Sequence, residues 1–182
     1  MKISLKALSG VLFWYVAFCS ATSAADYALL DLGTVHFPDQ GWQVDDKASE
    51  QGTLLAVSSR GCLLRIDALT KEGLVAADEL TEEALLPAVK GIFPADSGSG
   101  RIDGLRHVSL NAHKAVTFST TGHLPDFAEI PLQVTLTDTD SVQLSFFQLS
   151  VLKKNAVECQ QESNKIIYSF MNKLKGADEN LG

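Results

Sequence analysis

Apolar and polar residues alternate through much of this chain, and the alternation marks extended segments. Val35 and Phe37 lead into the turn cluster Pro38-Asp39-Gln40-Gly41, after which Trp42-Gln43-Val44 resumes the pattern, as two short strands around a tight turn would. Thr53 to Ser58 is a β-prone run, Ser59-Arg60-Gly61 punctuates it, and Cys62, Leu64, Ile66 and Ala68 then share one face of the next strand. Further on, Leu105–Leu110 and Lys114–Thr121 predict a hairpin around Asn111-Ala112-His113, because Asn tolerates the left-handed backbone of such turns. A second hairpin is expected where Leu132, Val134 and Leu136 alternate with Gln133, Thr135 and Thr137. There Asp138-Thr139-Asp140 turns the chain, and Val142, Leu144 and Phe146 return.

Twice the period changes to that of a helix. Between Asp78 and Phe93 the residues Leu85, Leu86, Val89, Ile92 and Phe93 recur at helical spacing, with Asp78 or Thr81 as N-cap and Glu82 and Glu83 in the first turn. Pro87 removes a backbone donor, so a kink or a helix in two pieces is expected. Pro94 to Gly100 reads as a flexible loop. Near the end, Asn155 with Glu158 forms a capping-box-like start, and Cys159, Ile166, Ile167, Phe170 and Leu174 fall on one stripe before Gly176.

Two or three strands, a helix, four strands in two hairpins and a closing helix define an α+β fold, a mainly antiparallel sheet covered by helices. Leu64, Ile66, Val116, Phe118, Val134, Leu144, Phe146, Ile167 and Phe170 are expected to be buried. The entry Phe37-Pro38-Asp39-Gln40-Gly41-Trp42, the helix after the early strands, the turn at Asn111-Ala112-His113 and the amphipathic closing helix together resemble the Mog1/PsbP-like fold. That resemblance implies an α/β/α sandwich and a bacterial secreted or periplasmic member. It also implies a binding or accessory scaffold, as in photosystem accessory proteins, and carries no catalytic residues to this chain.

The first 24 residues add an address. Lys2 and Lys6, the apolar run Val11–Phe18 and the small residues Ser20 to Ala24 are ordered as in a secretory signal peptide. The run is about half of the roughly 20 residues that a membrane-spanning helix needs. A cut after Ala24 or Ala25 discards Cys19 and leaves one domain, 25–176, with a flexible tail, 177–182. The whole chain has 15 basic and 22 acidic residues, a formal charge of −7. Losing two lysines makes the mature domain more acidic still, which argues against nucleic acid and anionic membrane surfaces as partners.

Local catalytic signatures are missing: there is no G-x-S-x-G, no phosphate-cradling Gly-rich loop before a helix, no H-E-x-x-H and no C-x-x-C. His107, His113 and His123 fall within 17 residues on one expected hairpin, near Asp126 and Glu129. They form either a metal or acid–base group of a small hydrolase or metal-dependent enzyme, or solvent-facing side chains on a polar hairpin. Asp45, Asp46, Glu50 and the acids of 78–83 lack the spacing of a calcium loop. Phe37 and Trp42 line a pocket or pack the core. Thr117, Ser119, Thr121, Gln133, Thr135 and Thr137 form a ligand floor or an ordinary exposed sheet face. After signal cleavage Cys62 and Cys159 are the remaining cysteines, each on an apolar face, and are expected to pair in an oxidising compartment. The function expected is that of a non-enzymatic periplasmic accessory or binding protein with a protein partner in the cell envelope, and with no cofactor or metal.

Overall fold

The computed structural model describes residues 26–38, 41–46, 49, 52–92, 100–124 and 127–175. The signal segment, Phe93 with most of the following loop, Asp126 and the tail lie outside the described residues. Five strands precede the first helix rather than two or three: β1 (Asp26–Leu29), β2 (Gly33–His36), β3 (Trp42–Val44), β4 (Thr53–Ser58) and β5 (Cys62–Thr70). The strand not read from the pattern is β1, whose four residues are too short to declare an alternation. Then come helix α1 (Glu82–Lys90), the strands β6 (Asp103–Leu110), β7 (His113–Leu124), β8 (Phe127–Asp138) and β9 (Val142–Ser150), and helix α2 (Ala156–Lys175). β1 and β2 pair with each other, and the other seven form an antiparallel sheet in the order β3-β4-β5-β9-β8-β7-β6.

The sheet separates two apolar cores. On one face α2 buries Cys159, Ile166, Ile167, Phe170 and Met171 against Leu54, Ala56, Cys62, Leu64, Ile66, Leu144 and Phe146, with Leu29, Val35, Phe37 and Trp42 beside them. On the other, Leu85, Val89 and Ile92 cover Leu55, Leu63, Val116, Phe118, Val134, Leu136, Phe147 and Leu149. All nine positions expected to be buried are buried. Phe37 and Trp42 pack in the core, ring centroids 5.8 Å apart.

Two helix expectations change. Thr81 is the N-cap, accepting from the Ala84 N–H at 3.3 Å, while Asp78 sits in a separate 3-10 turn, Ala77–Glu79. α1 runs without interruption through Pro87: Pro87 and Glu83 are both exposed, so water can reach the carbonyl that the proline leaves without a donor. Asn155 does not close a capping box. It belongs to the 3-10 turn Lys153–Asn155, and its side-chain amide donates to the Arg60 carbonyl at 3.0 Å. Arg60 in turn pairs with Glu158 and Glu162 of α2.

Both ends of α2 are held. Near its start the sulfurs of Cys62 and Cys159 stand at disulfide distance, 2.09 Å, with Cα atoms 5.1 Å apart. Near its end Asn111 Nδ2 donates to the Met171 carbonyl at 2.9 Å. Among the described residues no helix is long and apolar enough to cross a membrane.

Candidate functional site

α2 covers only part of its face of the sheet. It lies over β5 and β9 and reaches Leu110 and Ala115 at the β6–β7 turn, while the same face of β8 and β7 farther from that turn is left without a covering element among the described residues. Strand register fixes what shows there. Cα pairs Thr117 with Thr135, Ser119 with Gln133, and Gln133 with Gln148, so these side chains share the α2 face. Thr117, Ser119, Thr121, Pro131, Gln133 and Thr135 are half-buried, a recessed floor rather than an open surface. α2 walls it on one side, where Gln148 Nε2 donates to Asn164 Oδ1 at 2.8 Å. A small cleft at the foot of the wall is lined by Pro131, Gln133, Gln148, Ser150, Cys159 and Gln160, among others.

The floor side chains are bonded to one another. Ser119 Oγ donates to Gln133 Oε1 at 2.7 Å, Gln133 Nε2 donates to Thr117 Oγ1 at 2.5 Å, and the hydroxyls of Thr117 and Thr135 are 3.1 Å apart. Thr137 continues the row but is fully buried, donating to the Lys114 carbonyl at 2.9 Å. Ionisable groups keep to the rim: the Arg101–Asp103 pair leading into β6, Arg106 opposite Thr117, and the Glu129–Lys153 pair at one end.

The histidines do not converge. His107 is opposite Val116 and His113 opposite Leu110, which puts them on opposite faces of the sheet. His123 lies ten residues along β7 from His113, about 33 Å at extended rise; its side chain is outside the described residues. His113 is the first residue of β7, not part of the turn, which consists of Asn111 and Ala112. No three His, Cys, Asp or Glu side chains gather to hold a metal among the described residues. The arrangement therefore gives the enzyme reading no shared site.

His107 instead faces an ion pair. Lys114 Nζ donates to Asp78 Oδ2 at 2.6 Å, which holds the Asp78 carboxyl below its usual range, with a smaller contribution from nearby His107. The same contact raises Lys114. Next to it, Asp138 accepts from the Ala77 N–H at 2.6 Å and from Gln143 Nε2 at 3.0 Å, and Gln143 also donates to the Val75 carbonyl at 2.9 Å. These acids fasten the segment before α1 to the sheet.

The sequence reading missed Gln148, Gln160, Asn164 and Tyr168. Gln148 had a signal: it follows Leu144 and Phe146 on the same side of β9, and the change to Gln148 and Ser150 marks where α2 meets the strand through polar contacts, Asn164 at Gln148 and Cys159 at Ser150.

Sheet, flanking helices and their order define a PsbP-like α+β fold, with a seven-stranded antiparallel sheet and a helix on each face. The solution structure of cyanobacterial PsbP (CyanoP) from Synechocystis sp. PCC 6803 matches over 83% of this chain and 95% of its own, with a TM-score of 0.54 and 14% sequence identity. At that identity the likeness is one of fold. No protein-family model and no curated protein matches the chain.

Proposed function

We propose that this chain is a non-enzymatic accessory protein of the cell envelope, acting outside the cytoplasm by binding a protein partner through its outer strand, β6. The open edge of β6 carries this reading. Among the described residues the strand pairs only with β7, and Arg106, His107, Val108 and Ser109 are consecutively exposed. Its hairpin turns on two residues, so Leu110 and His113 exchange main-chain bonds and the phase then alternates along the strand. His107 and Ser109 consequently turn their N–H and C=O groups away from β7, ready for an added strand.

The address rests on the signal-like order of residues 1–24 and on a cysteine pair at disulfide distance. Protein from a periplasmic fraction should have the mass of a chain beginning at Ala25 or Asp26; a mass that includes Met1 to Ala24 would overturn the address.

Affinity capture from a periplasmic extract, with partners identified by mass spectrometry, tests the binding mode. His107→Pro deletes an outward donor and leaves the β7 ladder intact, so it should abolish capture of a partner that His107→Ala retains. Equal capture by both variants would remove β6 as the docking edge.

A further inference from the structure

The trough between α2 and strands β7 and β8 is distinct from the β6 edge, and its chemistry selects another kind of ligand. We propose that it binds an uncharged saccharide. A row of polar groups crosses three strands to the helix: Ser119, Gln133, Gln148 and then Asn164. None is ionisable, and neither are Thr117, Thr121, Pro131 or Thr135 around them; the ionisable side chains that share this face, Asp103 opposite Ser119 and Arg106 opposite Thr117, stand on β6 at its margin. The ligand that matches this row has no formal charge.

The unused hydrogen-bonding capacity specifies more. Gln133 accepts from Ser119 and donates to Thr117, which leaves one amide hydrogen and one carbonyl lone pair side by side. The bond from Gln148 to Asn164 leaves the Gln148 carbonyl and the Asn164 amino group. Paired donors and acceptors on a planar amide fit the neighbouring hydroxyls of a pyranose. Their mutual bonds hold them in place before binding, which lowers the ordering cost.

An aromatic surface completes the set. Gln160 lines the cleft and Asn164 bonds to Gln148, so this flank of α2 faces the trough; Tyr168, one turn beyond Asn164, is 50% exposed on the same stripe. A large, half-exposed ring beside a row of amides offers the C–H face of a sugar a stacking partner. A peptide backbone would use the amides but has no such need of the ring.

The test is a titration of the isotope-labelled protein with chitotetraose and cellotetraose, following the side-chain amide signals by NMR. Tetragalacturonate is the charged control and an uncharged Gly-Ser peptide the backbone control. Saturable shifts at Gln133, Gln148 and Asn164 with a neutral sugar are expected. Tyr168→Ala should weaken that affinity about tenfold, and Gln133→Leu by at least about as much. Thr135→Val, nearly isosteric, guards against a Gln133 variant that fails to fold and should also weaken binding. The proposal is overturned if neither neutral sugar gives saturable shifts up to about 10 mM, if the shifts lie outside the trough, or if the acidic sugar or the peptide binds there in preference.

Discussion

Ala112 is held at φ 70°, in the left-handed region, because the two-residue turn between β6 and β7 needs positive φ at both positions. Asn111, at φ 51°, bears this easily and uses its amide to anchor α2; Ala112 has no such compensation. Ala112→Gly should therefore stabilise the protein by about 1 kcal/mol, read as a higher denaturant midpoint. Phe170 is fully buried in the core beneath α2, and Phe170→Ala should cost about 3–5 kcal/mol in the same assay. Single residues like these were readable in the sequence, since alternation and helical stripe decide burial locally. Which face each belongs to was not: Phe118 and Phe146 look alike in pattern yet lie in different cores.

Elements show where local pattern loses to context. β8 runs through Pro131 because that residue lies one step beyond the last β8–β9 pair, Leu132 with Leu149. The Thr139 N–H to Val142 bond sets the phase that turns odd-numbered donors of β8 toward β9, so the missing donor breaks no ladder there. Likewise the closing helix was evident from its stripe and its start, Ala156 directly after Asn155, but its capping was not, because the Asn155 amide donates to the distant Arg60 carbonyl. The segment before α1 is fastened by Asp138, and Asp138→Ala should speed hydrogen exchange at the Ala77 amide while leaving the centre of β9 protected. The Asp78–Lys114 pair sets a pH window. Asp78 lies below its ordinary 3.8, so its contribution is present above that value and lost as pH falls through the lower folded value. Lys114 lies above its ordinary 10.5, so its share is present below 10.5 and lost as pH rises through the folded value. Lys114→Met should lower the melting temperature slightly at neutral pH, the pair being exposed, and the difference from wild type should vanish at strongly acidic pH.

At the scale of the molecule, the α+β class and the order from α1 to α2 followed from the sequence, because period and turn chemistry are local. The trough did not, since it exists only where register sets Ser119, Gln133 and Gln148 in line and α2, bonded to Gln148, stops short of covering Ser119 and Gln133. The cysteine pair spans the largest part of the chain, 97 residues apart in sequence. Unreduced, denatured protein from the periplasm should show neither Cys62 nor Cys159 open to alkylation, and reduction should lower stability by at most about 4.7 kcal/mol on the chain-entropy view. The same bond decides how the protein answers to being pulled. A load applied between its two ends bypasses everything from Cys62 to Cys159 in the oxidised chain, and at full extension hides roughly 35 nm of contour length. Both the β6 edge and the trough floor lie inside that shielded segment. A protein so built can be tugged at either terminus, losing the far turns of α2 or the first hairpin, while the β6 edge and the trough feel the force only through the knot at the start of α2.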